Sequence, residues 1–366
     1  MRVIIAAAGT AGHINPGLSI ANKIKKEQPE SEIVFIGTRR GLENDLVPRA
    51  GYELKTIDAY GLTPKNITKI FKILKGFKQA KKIIEDFKPD IVIGTGGYIC
   101  GAVITEANKQ GIPTLLHESN AFPGKAVKML TKKTDTILVA FEDAKKRIEN
   151  AKNIVVTGTP TKISKLNLNR EQKNKIIQDI GLNTNKPILL VFGGSQGAKA
   201  INDAIIKMVK ENKIIKYQMI WAPGPKQYDI IKNELKRDNI DIDNINNTKV
   251  YPYIYNMEEL MNVVDLLMCR SGAITVTEVS KLGKAAIFIP LPGVSQNHQE
   301  HNARALEKIG AAKIILNNDL EKTDLNDYIE KIILDKDIIQ SMEEKSKSMR
   351  INNVEEKIYE EIKKLI

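Results

Sequence analysis

Short runs of apolar residues alternate along this chain with segments whose apolar positions recur every three or four residues, the pattern of parallel strands covered by crossover helices. The runs predict strands at 2–7, 33–36, 91–93, 114–117, 136–139 and 154–157, and a second set at 188–192, 217–221, 248–251, 266–269, 286–289 and 312–315. Two open, doubly wound α/β sheets follow. Gly158-Thr159-Pro160 closes the first set and the polar stretch 162–175 leads into the second, which places a linker near 160–170. The expected domains are 1–161 and 162–345, then a C-terminal helix within 346–366. Its apolar Val354, Ile358, Ile362 and Leu365 share one face that must dock, with the first domain as a candidate host. Ligands of open α/β sheets bind beyond the carboxyl ends of the strands, so a cleft between the two domains is the expected site.

Composition narrows the class. A length of 366 residues suits two domains, and the two cysteines, Cys100 and Cys269, have no CxxC spacing. That argues against a disulfide framework or a zinc site and for a reducing, intracellular setting. The apolar run after Arg2 stops at Gly9, short of a signal peptide, and no stretch approaches the roughly 20 apolar residues that cross a bilayer.

Charge is uneven: residues 1–161 hold 25 Lys+Arg against 16 Asp+Glu, and the rest 31 against 28. The lysines lack interleaved aromatics or a base-reading motif, so no nucleic-acid partner is expected, and an anionic membrane surface fits better. From Thr63, a candidate N-cap before Pro64, the apolar Ile67, Ile70, Phe71, Leu74 and Phe77 recur at helical spacing. Lys65, Lys69, Lys72, Lys75, Lys78, Lys81, Lys82 and Lys88 crowd the other faces. Gly76 is expected to divide this region, 64–75 serving as an interfacial anchor for anionic lipids and 77–88 packing on the sheet.

The chemistry gathers where strands hand over to helices. After the strand at 266–269 comes Gly272-Ala273-Ile274-Thr275-Val276-Thr277-Glu278, in which free helix-start amides suit an anion and Glu278 is spaced to accept from vicinal sugar hydroxyls. After the first strand, Gly9-Thr10-Ala11-Gly12-His13-Ile14-Asn15-Pro16-Gly17 leads to a helix expected to begin with Leu18, Ile20 and Ala21. With an ordinary pKa of about 6.5, a histidine at this junction is a candidate base for a hydroxyl nucleophile. A loop histidine bonded to backbone is the plainer alternative.

Gly193-Gly194-Ser195-Gln196-Gly197-Ala198 lacks both dinucleotide and P-loop spacing. Ser195 and the turn amides suit phosphate oxygens, and a turn that merely packs helix on strand fits equally. Gly96-Gly97-Tyr98 and His117-Glu118-Ser119-Asn120 reach the same rim of the first sheet, where Asn120 has a donor and an acceptor for a sugar hydroxyl. His298 and His301 with Glu300 do not share a helix face and mark no third ligand, so no metal is expected there. Asp241-Ile242-Asp243 lies in a polar loop and reads as solvated.

Those segments, with Arg270-Ser271 and His298-Gln299, occur in the order and spacing of the MurG family, which the chain resembles from about residue 1 to 320. The resemblance implies a GT-B fold, two Rossmann-like domains facing a central cleft, with acceptor on the first and donor on the second. It implies inverting transfer of GlcNAc from UDP-GlcNAc to the C4 hydroxyl of MurNAc in the undecaprenyl-linked pentapeptide intermediate. This is a step of peptidoglycan synthesis at the cytoplasmic face of the membrane, with no cofactor.

By motif matching, the Ile254 backbone would meet uracil and Glu278 the ribose. Ala273, Ile274, Thr275, Val276, Thr277 and Ser195 would hold the diphosphate, and Asn120 and Gln299 the GlcNAc. Thr10, Ala11 and Gly12 would form the opposing wall, with His13 as base. Two departures stand out: Ala11 where the family has glycine, and Lys162 where relatives often carry a base-contacting arginine. Another GT-B enzyme, such as a glycolipid synthase or a sugar-nucleotide epimerase, and a non-catalytic sugar-nucleotide or membrane-surface binder remain as rivals.

Overall fold

Strands form from the apolar runs because each is covered on both faces. In the first strand Val3, Ile5 and Ala7 join one apolar cluster while Ile4, Ala6 and Ala8 join another, the two-residue alternation of a doubly covered sheet. The computed structural model describes residues 1–60, 70–194 and 197–366. The chain divides into two units, Met1–Lys162 with Ile351–Ile366, and Ile163–Arg350.

The first unit holds β1 (Arg2–Ala6), β2 (Glu32–Gly37), β3 (Glu53–Thr56), β4 (Ile91–Gly94), β5 (Thr114–Glu118), β6 (Thr136–Val139) and β7 (Ile154–Val156). Among the described residues they form one parallel sheet in the order β3-β2-β1-β4-β5-β6-β7. The second holds β8 (Ile188–Phe192), β9 (Gln218–Ala222), β10 (Thr248–Val250), β11 (Leu266–Cys269), β12 (Ala285–Phe288) and β13 (Ala312–Ile314). Their order, again parallel throughout, is β10-β9-β8-β11-β12-β13. In each sheet the winding direction reverses once, between β1 and β4 and between β8 and β11. The strand-to-helix loops diverge at that point and leave a crevice at the carboxyl edge.

Several expectations are corrected. β3 is an added strand that the apolar runs do not predict, because Glu-Leu-Lys-Thr has one apolar residue and occupies the sheet edge. The first helix runs Ala11–Glu27, starting seven residues before Leu18, and takes Pro16 into its interior. Gly76 does not divide the basic segment: the helix Ile70–Phe87 runs through it. A Cβ at Gly76 would sit 2.0 Å from the carbonyl oxygen of Asp58, so the glycine serves close approach of the helix to the chain after β3. Ala80, Ile84 and Phe87 bury that helix on the sheet, whereas Phe71 and Leu74 are exposed.

The second unit's last helix, Lys336–Ser348, carries it past the expected boundary at 345, and the chain rejoins the first unit from Ile351. There the helix Val354–Lys363 packs Ile358, Tyr359 and Ile362 against Ile20, Ala21 and Ile24, with a Lys23–Glu356 ion pair at 3.0 Å.

Candidate functional site

In the first unit, β1, β4 and β5 are neighbours, so the loops after them meet at one edge. His13 lies in the first turn of the helix after β1 rather than in a loop, half-buried, with Thr10 as the N-cap residue. Its Nδ1 is 3.1 Å from the Ala8 carbonyl oxygen. A carbonyl oxygen only accepts, so Nδ1 carries the proton and Nε2 keeps a lone pair. The Thr95 hydroxyl donates to the His13 carbonyl at 2.8 Å. Gly96, at φ +123°, is required beside the ring, since a Cβ there would lie 2.5 Å from His13 Cδ2. Ala11, the departure from the family pattern, has no left-handed backbone to satisfy, because it is the first helical residue.

After β5, the buried Glu118 carboxylate accepts from the Asn120 amide and side-chain nitrogen, both at 2.9 Å, and from the Gly124 amide at 2.7 Å. That holds Asn120 in one orientation at the rim. His117 is structural: its Nε2 donates to the Gly158 carbonyl at 2.9 Å and its Nδ1 accepts from Ser119 Oγ at 3.3 Å.

In the second unit the winding reverses between β8 and β11, and the helix Ala273–Leu282 follows β11. That helix has Gly272 at its N-cap, no side-chain cap and no acid in its first turn, so the amides of Ala273, Ile274 and Thr275 face outward. The turn before it is braced. Arg270 Nη1 donates to the carbonyls of Ile289 and Pro290 and to Asn317 Oδ1, and the Ser271 hydroxyl donates to the Gln299 carbonyl at 2.8 Å. Of the implied diphosphate residues, Thr277 turns its hydroxyl back onto the Ala273 carbonyl, which leaves it no outward hydroxyl, and Val276 is buried.

Glu278 is half-buried on the same helix. Desolvation pushes its carboxyl up to about 7, with Lys281 opposing in part. Gln299 Oε1 accepts from the Leu291 amide at 2.9 Å, so its side chain braces the loop after β12.

Ile254 lines a cavity of about 360 Å³ with Tyr253, Tyr255, Asn256 and Ile176 among its walls. The glycine turn after β8 is partly packing, since a Cβ at Gly197 would meet the Pro223 carbonyl at 2.2 Å. Ser195 and Gln196 lie outside the described residues. Asp241 caps a short 3-10 turn and Asp243 pairs with Lys232, which occupies both members of the D-x-D.

Residues 3–139 match the glycosyltransferase family 28 N-terminal domain and residues 188–358 its C-terminal domain. The UDP-N-acetylglucosamine–N-acetylmuramyl-(pentapeptide) pyrophosphoryl-undecaprenol N-acetylglucosamine transferase of Acetivibrio thermocellus is 43% identical over 374 residues, covering 100% of this chain and 98% of that one. The chain belongs to the MurG family. The equally named protein of Ruminiclostridium cellulolyticum is 42% identical, with 100% of both chains covered. The crystal structure of Acinetobacter baumannii MurG superposes with a TM-score of 0.79 at 27% identity, covering 99% of each chain. The two Rossmann-like units are thus the domain pair of the MurG family's GT-B fold.

Sequence reasoning missed Glu43. This buried carboxylate accepts from the Gly9 amide and from the amide and hydroxyl of Thr38, and neither its spacing nor its surroundings in the chain distinguish it from a solvated helix-start acid.

Burial of His117 gives a prediction about acid stability. Desolvation holds its pKa down at about 4, from an ordinary 6.5. Below the ordinary value the unfolded chain binds a proton that the folded state refuses until about pH 4, so stability falls as pH drops through that window. The loss attributable to this group should reach on the order of 3 kcal/mol. Urea titrations at about pH 7 and about pH 4.5 should show it, and a smaller difference in H117Q; an equal difference would remove His117 as the cause.

Proposed function

We propose that the chain is an inverting N-acetylglucosaminyltransferase. It moves GlcNAc from UDP-GlcNAc to the C4 hydroxyl of MurNAc in undecaprenyl-pyrophosphoryl-MurNAc-pentapeptide, converting lipid I to lipid II. The second unit takes the donor and the first the acceptor. In a MurG-family chain, the observation that carries the reading is a base-competent histidine at the β1/β4 crevice of one sheet and a bare helix N-terminus at the β8/β11 crevice of the other.

His13 Nε2 takes the proton of the C4 hydroxyl as its oxygen attacks C1 of the sugar from the face opposite UDP. The C1–oxygen bond to the diphosphate breaks in the same displacement, and UDP leaves with the bonding pair. Charge grows on the diphosphate as the bond lengthens. The amides of Ala273, Ile274 and Thr275, with Ser195, stabilise it, since helix-start dipoles act most strongly where water is displaced. Thr10, Ala11 and Gly12 line the acceptor side of the first unit, Asn120 and Gln299 read the GlcNAc, and the cavity beside Ile254 takes uracil. The Glu278 carboxylate accepts from the ribose hydroxyls.

None of the described helices is long and apolar enough to cross a membrane. The lipid-linked acceptor is reached from the cytoplasmic face by peripheral contact with anionic lipids through 64–75. Residues 64–69 of that segment lie outside the described residues. The exposed Phe71 and Leu74 beside Lys72 support the contact.

Labelled UDP-GlcNAc and a lipid-linked MurNAc-pentapeptide analogue should yield the disaccharide; UDP-sugar conversion without acceptor, or binding alone, would replace the reading. In that assay H13A should lower kcat by on the order of a hundredfold or more while UDP affinity holds, and full turnover would remove His13 from the chemistry. Only ionised Glu278 accepts from both hydroxyls, so UDP-GlcNAc affinity should weaken as pH falls through about 7. E278A should lose roughly 10- to 100-fold and lack that pH dependence, and unchanged calorimetric affinity would sink the ribose role. At about 1 kcal/mol per lysine near an anionic leaflet, neutralising Lys65, Lys69 and Lys72 together should weaken binding to anionic vesicles on the order of a hundredfold. Unchanged sedimentation with the vesicles would refute the anchor.

A further inference from the structure

We infer that Glu43 is a positioning residue for His13, acting on the imidazole through a single intervening peptide group. That group joins Ala8 to Gly9. Its N–H donates to Glu43 Oε2 at 2.9 Å, and its carbonyl oxygen accepts from His13 Nδ1 at 3.1 Å. The two hydrogen bonds sit at opposite ends of one planar, conjugated amide, so drawing the N–H toward a carboxylate makes the carbonyl a stronger acceptor for the ring. The carboxylate thereby secures the Nδ1–H tautomer and leaves Nε2 as the basic atom. Nε2 itself has no hydrogen bond among the described residues. The inference rests on His13 being the base proposed above.

Glu43 is built into the core for this purpose. It is 0% exposed and forms no ion pair among the described residues. Its other oxygen, Oε1, accepts from the Thr38 amide and hydroxyl, each at 2.8 Å. Burial opposes its charge, yet the amides of Gly9 and Thr38 and the Thr38 hydroxyl together hold its pKa below the usual carboxylate value. A Cβ on Gly41 would lie 1.9 Å from Oε2, so the surrounding turn is shaped around the carboxylate.

Donors reach both oxygens from two separate segments, and only a group that accepts at both atoms serves them all. A glutamine in this seat has one acceptor and turns an NH2 toward one of the donors. The far side of the ring is fixed by Gly96 and the backbone of His13 by Thr95, which leaves tautomer choice to the Ala8 carbonyl.

The test uses the full chain carrying ¹⁵N-labelled histidine. With four histidines in the sequence, the His13 signals are assigned by their loss in H13A. At a pH well above the ordinary histidine range the parent should show His13 as the Nδ1–H tautomer, and E43Q a mixture of tautomers. E43Q should also lower kcat about tenfold while the KM for UDP-GlcNAc changes less than about twofold. In an H13A background the same substitution should cost less than about twofold, because its route to the chemistry is gone. A native His13 spectrum in E43Q overturns the inference whatever its activity, as does an equal kcat loss with and without His13. Should E43Q fail to fold, E43D, which keeps the charge but cannot span both segments, is read by the same criteria. Full turnover in H13A would sink the proposed base and leave the tautomer result to judge the relay alone.

Discussion

A sheet whose strands all run one way sends every strand-to-helix loop out of the same edge, and both units of this chain are built on that constraint. It concentrates main-chain amides, helix starts and short polar side chains along one line, while apolar side chains fill both faces. Neither unit needs a long insertion to make a crevice, because the reversal of winding between β1 and β4, and between β8 and β11, parts the loops there. His13, Gly96 and Asn120 are brought together by strand order alone, although 107 residues separate the first from the last.

What the topology does not supply is rigidity, and buried or half-buried polar groups provide it. Glu43 fastens the loop after β1 to the end of β2. Glu118 fastens the loop after β5 onto its own turn, and Arg270 ties the end of β11 to the loop after β12. Each makes several hydrogen bonds with backbone, which is the condition under which a buried charge or near-charge is tolerated. Removing one partner from such a group costs more than the bond itself, since the other members lose solvation and gain nothing. The loops are therefore held from beneath.

This division explains what was legible in the chain. Strands covered on both faces announce themselves as apolar runs, and among the described residues β3 is the strand that such runs do not predict: it lies at the sheet edge, with Leu54 as its sole apolar residue. The early start of the first helix was hidden because Gly12, Asn15, Pro16 and Gly17 are poor helix formers, a local preference overruled by burial of Ile14, Pro16, Gly17 and Leu18 against the sheet. Gly76 misled for the opposite reason: its flexibility was expected to matter, and its lack of a side chain is what the packing uses. Glu43 was invisible because a glutamate opening a helix beside Asn44 and Asp45 has the look of a surface acid, and only the path of the chain shows that it points inward.

One further regularity connects the fold to an anionic donor. The described helices following β1, β4, β5, β8, β9 and β11 all open without an acidic residue in the first turn, and none has a side-chain cap. Those following β2, β6 and β12 carry Glu43 and Asp45, Glu142 and Asp143, and Glu300 in that turn. An acid there is worth about 0.3–1 kcal/mol to the helix, so leaving it out at six helix starts forgoes stability that the helices after β2, β6 and β12 take. The omission falls mainly at the middle of each sheet, where the crevices are. An acidic cap would satisfy those amides and repel an approaching anion; without one, the same dipoles stay open to negative charge at the carboxyl edge of each sheet.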